Sequence, residues 1–307
     1  MSLYAALKGT GPSGFGYGST AEQVTHDLDL KGNTYLVTGC NSGLGLETVR
    51  VLGLRGGHVV AAARSEETAA RALAGAEATG TPVACDLSQP ASIRACIESV
   101  RRLSVPLHAI VCNAGIMALP KLQQKHGCEL QFFTNHIGHF MLVTGLLDRL
   151  APDGRVVVVS SRAHERAPAE GIRFDDLSGE TSYAPWAHYG QSKLANLLFA
   201  RELARRFGEA GTRRTANALH PGVIHTNLAR HMNPVARAAF AAMRPLFLKT
   251  IAQGAATQCY LATHPAVTAS GKYFADCNEA RPHPHGEDDA MARRLWDVSL
   301  KIVAALP

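Results

Sequence analysis

Apolar residues in this chain fall into short β-prone runs separated by stretches of helical periodicity, and the alternation starts near residue 34. Tyr35-Leu36-Val37 predicts a first strand, followed by a Gly-rich turn and a helix from Leu44 to Leu54. His58 to Ala63 predicts a second strand ahead of an Ala/Glu/Arg-rich helix, and Val83-Ala84-Cys85 a third ahead of a helix from about Pro90 to Arg102. A fourth strand, His108 to Cys112, precedes a long helix expected from about Gln124 to Leu150. Arg155 to Ser160, with four consecutive valines, is the fifth; Ala216 to His220 is the sixth, and Lys272-Tyr273-Phe274 a short seventh.

Apolar strands alternating with helices imply a parallel sheet covered on both faces. Right-handed crossovers then give a Rossmann-type, doubly wound α/β fold of seven mostly parallel strands. No repeat or linker divides the chain. Residues 1–30 are expected to form an arm on the surface, because Gly11 to Thr20 is too Gly-rich for a regular element, and residues 31–307 a single domain. Two segments, about 162–185 and 226–250, interrupt the alternation and are expected to cover a ligand.

Composition narrows the class. With 307 residues, 46% hydrophobic and 18% charged, the chain suits one globular α/β domain. It has no apolar run of about 18 residues, so no transmembrane anchor is expected, and the N-terminus lacks the pattern of a signal peptide. Seven scattered cysteines without Cys-x-x-Cys spacing read as buried free thiols in a reducing compartment, here the cytoplasm. The net charge of +6 is dispersed in pairs such as Arg205-Arg206, without the basic, aromatic-interleaved block of a nucleic-acid binder. A phosphorylated small ligand uses that charge better.

The candidate chemistry sits where strands end. Thr38-Gly39-Cys40-Asn41-Ser42-Gly43-Leu44-Gly45 joins the first strand to the first helix. Gly39, Gly43 and Gly45 allow a tight turn and close approach of a pyrophosphate to the helix N-terminus, where free amides favour anions; Asn41, Ser42 and Leu44 complete the binding turn. Its spacing, Gly-x-x-x-Gly-x-Gly, differs from the commoner Gly-x-Gly-x-x-Gly. At the end of the second strand Arg64 stands in place of the acidic residue that would bind a ribose 2′-hydroxyl. A guanidinium there suits a 2′-phosphate, which favours NADP(H) over NAD(H). Asp86, before Leu87 at the end of the third strand, either accepts a bond from adenine or caps the next helix.

Asn113-Ala114-Gly115 places small residues after the fourth strand, where the cofactor ribose would press on the backbone. Asn135 lies beside Gly138 on the fourth helix, in a position suggesting a local bend. His136 and His139 lack further ligands nearby, so no metal site is expected. Ser160-Ser161 and Pro221-Gly222-Val223-Ile224-His225-Thr226 end the fifth and sixth strands at the carboxyl edge of the sheet; the second leaves Pro221, Gly222, Val223 and Thr226 to meet a carboxamide. Tyr189 and Lys193, four apart on a helix, share one face, and a nearby ammonium is expected to lower the phenol's pKa.

Together these residues identify the chain as similar to the short-chain dehydrogenases/reductases from about Gly32 to the C-terminus. It looks closest to the retinol dehydrogenase-like group, which includes a plant chloroplast inner-envelope dehydrogenase associated with protein import. The cues are Asn-His-Ile-Gly-His-Phe, Tyr-Gly-Gln-Ser-Lys-Leu-Ala-Asn, Gln253-Gly254-Ala255-Ala256-Thr257 and Gly271-Lys272-Tyr273-Phe274. The resemblance implies that Tyr189 is the acid/base and that Lys193 lowers its pKa and holds the nicotinamide ribose. It further implies that Ser161 binds the substrate oxygen and that Asn135 holds a water in a proton relay. Hydride transfer between NADP(H) and a carbonyl or alcohol follows, with a homodimer or homotetramer as the expected assembly. No counterpart of the apolar anchor of membrane-bound retinol dehydrogenases is expected, and the apolar residues of the two covering segments suggest a hydrophobic aldehyde or ketone. Two alternatives stay open: a nucleotide-sensing scaffold without turnover, and reduction of an activated C=C bond at the same site.

Overall fold

The computed structural model describes residues 8–224 and 248–307. Its centre is one sheet whose elements follow in order: β1 Thr34–Thr38, α1 Gly43–Leu54, β2 His58–Ala63, α2 Glu66–Gly75, β3 Gly80–Ala84, α3 Pro90–Arg102 and β4 Leu107–Cys112. After β4 come α4 (130–144), β5 Leu150–Val159, α5 Pro185–Glu209, β6 Thr215–His220, α6 Ile251–Thr263, β7 Tyr273–Ala275, β8 Asn278–Ala280 and α7 Asp289–Ala304. The spatial order β8-β7-β6-β5-β4-β1-β2-β3 reverses direction between β1 and β4. That reversal opens the crevice where ligands bind in such sheets. Every pairing except β7–β8 is parallel.

The doubly wound α/β fold is thus as expected, with two differences of detail. The sheet has eight strands, because Asp276 and Cys277, both at positive φ, turn the chain straight back from β7 into the antiparallel β8. The helix expected over Gln124 to Leu150 is broken at both ends. His126 and Gly127, also at positive φ, close a small hairpin of Gln124–Lys125 with Cys128–Glu129. Helix α4 then starts where the Glu129 carboxylate accepts the Phe132 amide at 2.9 Å, and it stops at Gly145 before a 3-10 turn over Leu147–Arg149. Within α4, Leu130–Phe132 and Gly138–Thr144 are α-helical and Phe133–Ile137 forms a π-turn.

Two apolar layers sandwich the sheet. One face packs Val37, Ala61 and Val111 against α1 and α6; the other packs Leu36, Ile110 and Val158 against α3, α4 and α5. Burial on both faces is why these strands read as continuous apolar runs. The arm is more than a surface strap. Ala21 and Val24 are fully buried in the first layer, and the Ala21 amide donates to Ala252 O of α6 at 2.8 Å. All seven cysteines are buried free thiols, as expected.

Candidate active site

Helix α5 enters after Pro185 at its first turn, a residue whose fixed φ suits a helix start, and carries Tyr189, Ser192, Lys193 and Asn196 along a buried face. Gly190 lets that face close against the turn after β5: a Cβ there would come within 2.6 Å of Ala163 O. Ser161 opens this 3-10 turn, its Oγ accepting the Ala163 amide at 3.1 Å, and the same hydroxyl interacts with the Tyr189 phenol. Ser160, its neighbour, points into the core and donates to Lys193 O at 2.7 Å. Of the two serines, Ser161 faces the tyrosine.

The Lys193 ammonium is buried, donates to Val159 O at 3.0 Å and lies 5.8 Å from the centroid of the Tyr189 ring. Burial outweighs any help the lysine gives the phenol. Tyr189 is pushed up to about 12 by desolvation, against a lowering by the Ser161 hydrogen bond. Lys193 is pushed down to about 8 by desolvation. The expected lowering of the tyrosine by its lysine is therefore not what this arrangement produces. A low-dielectric pocket disfavours phenolate and ammonium alike, and Lys193 is aimed at the strand carbonyl. At neutral pH the phenol keeps its proton, which makes it a donor.

Asn135 occupies the π-turn of α4. Its Oδ1 accepts the Ile116 amide at 2.8 Å, and its Nδ2 donates to Ile116 O and to Ser192 Oγ, both at 2.9 Å. The side chain thus staples the segment after β4 to α4 and α5. Gly115 lies beside it: a Cβ there would meet Asn135 Oδ1 at 3.1 Å and Lys193 Nζ at 3.5 Å. Asn113 braces the crevice, with its Nδ2 donating to Thr38 O at 2.9 Å, while the Asn113 and Ala114 amides donate to Thr38 Oγ1.

The Gly-rich turn sits at the other side of the crevice. Gly39 has φ +67° and a Cβ on it would come within 3.0 Å of Ala114 Cα; a Cβ on Gly45 would run into Gly39 O. Asn41 and Ser42 are exposed and Gly43 and Leu44 half-buried at the start of α1, where Ser42 gives no side-chain cap to the first amides. Arg64 is exposed just past the end of β2, without a hydrogen bond or ion pair to the described residues. Asp86 caps neither helix: its Oδ1 accepts from Ser88 N and Ser88 Oγ at 2.9 and 2.7 Å, and the cap position of α3 belongs to Gln89. Leu87 is buried, its carbonyl against Gly138. Pro221 is buried, Gly222 has φ +94° and Val223 is exposed; Thr226 lies outside the described residues, as does most of the 226–250 segment.

Several site residues carried no sequence signal of their role. Fully buried His139 links the two sides of the crevice, its Nδ1 donating to Asn135 O at 2.8 Å and its Nε2 accepting from Thr38 Oγ1 at 2.9 Å. Burial holds it down to about 4, so it is neutral. Among the described residues no group of His, Cys, Asp and Glu is placed to hold a metal ion. Beside Asn41, a cleft of about 320 Å³ is lined by Leu46, Thr68, Arg71, Ala72 and Gly75.

Comparison with known proteins agrees with this geometry. A family model described as short chain dehydrogenase matches residues 33–174. The chloroplastic short-chain dehydrogenase TIC 32 A of Brassica napus is 43% identical over the full length of both chains. Human retinol dehydrogenase 14 is 40% identical over 90% of this chain and 88% of its own. A crystal structure of a putative uncharacterized protein from Mycobacterium paratuberculosis superposes with a TM-score of 0.75 at 34% identity, covering 94% of this chain and 99% of that one. With full-length identity of this order to a short-chain dehydrogenase, and a doubly wound sheet carrying a Gly-rich turn and a Tyr-x-x-x-Lys helix, the chain belongs to the short-chain dehydrogenase/reductase family.

Proposed function

We propose that this oxidoreductase uses NADP(H) to interconvert a hydrophobic carbonyl compound and its alcohol. The observation that carries the reading is the convergence of Ser161, Tyr189 and Lys193 at the carboxyl edge of β5, facing Asn135 and Gly115 across the crevice. The turn suits a dinucleotide: Gly39 and Gly45 let it fold tightly against Ala114 and Gly39 O, and the first amides of α1 are left without a side-chain cap. The cofactor, when bound, supplies the hydride. The chain's own part is binding and proton handling. Ser161 orients the substrate oxygen, and Tyr189, protonated at rest, donates to it as the carbonyl is reduced. Lys193 is assigned to the ribose hydroxyls, and Asn135 is tied to the same helix through Ser192. Asp86 and Leu87 are assigned to the adenine end, and Pro221, Gly222, Val223 and Thr226 to the carboxamide.

Arg64 supports NADP(H) over NAD(H), since an exposed guanidinium with no partner among the described residues is available to a 2′-phosphate. NADPH is expected to bind much more tightly than NADH, and Arg64→Ala to shrink that preference by about tenfold or more, a charged hydrogen bond being lost. Equal affinities for the two cofactors in the unaltered protein would refute the assignment. The test of the whole reading is NADPH consumption over a panel of aldehydes, ketones, steroids and retinoids. Turnover to the alcohol is expected; a saturated ketone as product points to C=C reduction, and no turnover to a nucleotide sensor. A homodimer or homotetramer and a cytoplasmic location complete the proposal. Seven buried free thiols support a reducing compartment, and no helix among the described residues is long and apolar enough to cross a membrane.

A further inference from the structure

Behind the Pro221–Ile224 turn lies a buried ion pair that the reaction does not use. Lys249 Nζ sits 2.7 Å from Asp276 Oδ1, with the lysine side chain 1% and the aspartate 15% exposed. Asp276 is fixed by its place in the tight β7–β8 turn, at φ +53°. Its second oxygen takes Lys8 of the arm at 2.8 Å. Burial pushes the Asp276 carboxyl up, but Lys249 and Lys8 pull it below its ordinary value, so it is ionised. The Tyr17 ring lies under the same charges, 4.8 Å from Lys249 Nζ and 5.5 Å from Lys8 Nζ.

The stem of Lys249 packs against Gly222. A Cβ on Gly222 would come within 2.6 Å of Lys249 Cδ and 3.0 Å of its Cε, so the stem forms the floor beneath this glycine. The Lys249 amide donates to Val223 O at 3.0 Å, and Ile224 pairs with Lys249 in an isolated parallel bridge. On the far side, Thr250 caps α6 and Gln253 donates to Gly18 O of the arm at 3.2 Å. His220, the last residue of β6, is half-buried near the same charges. It accepts the Arg162 amide at 3.1 Å, one residue from Ser161.

We infer that Lys249, locked by Asp276, is a positioning residue that sets the Gly222–Val223 turn and with it the nicotinamide end of the cofactor site; this rests on the dinucleotide reading above. A charge this deeply buried is expensive unless paired, so the pair fixes where the lysine stem lies. The stem in turn fixes a turn whose glycine has no side chain of its own to hold it. The arm reaches the site through the same aspartate, which gives residues 8–25 a role beyond covering apolar surface. Lys249 touches neither reacting atom, so its effect falls on binding geometry at one end of the cofactor.

The experiment compares the unaltered protein with K249M/D276N, which removes both charges and avoids leaving either buried alone. Each is titrated calorimetrically with NADPH and with 2′,5′-ADP, the adenosine half of the cofactor, alongside thermal unfolding. The double variant is expected to remain folded and to lose about tenfold in NADPH affinity, as misplacement at a binding turn does, while 2′,5′-ADP binding stays within about twofold. A general loosening of the fold weakens both ligands together. Equal weakening of both, or unchanged NADPH affinity, overturns the proposal. If the unaltered protein binds neither ligand, the dinucleotide reading falls and this inference with it.

Discussion

Tyr189→Phe is expected to reduce kcat by on the order of a thousandfold or more while leaving NADPH affinity within about twofold, since a positioned general acid contributes at that scale. The substitution deletes one oxygen from a ring that is buried and packs edge-on to Trp186 at 6.2 Å, so the fold has little to lose. The deleted hydroxyl interacts with Ser161 and is the group whose proton the reaction needs. Stopped-flow NADPH oxidation gives the rate, and fluorescence titration the affinity. Undiminished turnover would sink the assignment of Tyr189. The pH profile adds a second check. Because burial holds the free phenol up to about 12, reduction should stay active across neutral and mildly alkaline pH, without loss of the donor proton below about pH 10. The reverse oxidation needs a base and should rise with pH over the same range.

Much of this was legible because a parallel sheet buried on both faces leaves unmixed apolar runs. Val156 to Val159 and Val59 to Ala63 could be little else, and the strand-end positions of Gly39, Asn113, Ser161 and Pro221 followed from them. What failed did so for local reasons. The segment Gln124 to Leu150 looked continuously helical, but its first turn is a hairpin made by two left-handed residues, and His126 gives no warning of that conformation. The three-residue β8 has no periodicity to read, since its strand identity comes from the β7 edge it pairs with. Asp86 lies just past the end of β3, and one of its carboxylate oxygens is taken by Ser88, two residues on, as short acidic side chains in turns often are. Spacing on a helix tells which groups are neighbours but not how dry they are, so the desolvation that governs Tyr189 and Lys193 is not written in it. His139 and Thr38, 101 residues apart, meet only after the fold brings β1 and α4 together.

Lys193→Met is expected to make the protein more stable and nearly inactive. Burial presses the ammonium from 10.5 to about 8, so keeping it charged at neutral pH costs about 3 kcal/mol. Methionine has a similar length and no charge, and its loss of a hydrogen bond leaves no orphan, because Val159 O still accepts from Asn196 Nδ2 at 3.1 Å. Thermal unfolding should shift up by about 2 °C or more, the scale for relief of a kcal/mol or so in a chain of this size. The gain should depend on pH in a defined direction. Between about pH 8 and 10.5 the folded protein has shed the Lys193 proton while the unfolded chain still holds it, so the penalty fades as pH rises. The stability difference between variant and parent is therefore largest below pH 8 and vanishes near 10.5; a gain that grows with pH would contradict the burial argument. Activity should move the other way, with kcat/KM falling on the order of a hundredfold or more as a positioned group at the reacting centre is lost. Stability given up to keep a charge in a dry pocket is intelligible only if something arrives there to use it. A variant both more stable and fully active would mean that Lys193 serves neither cofactor nor tyrosine.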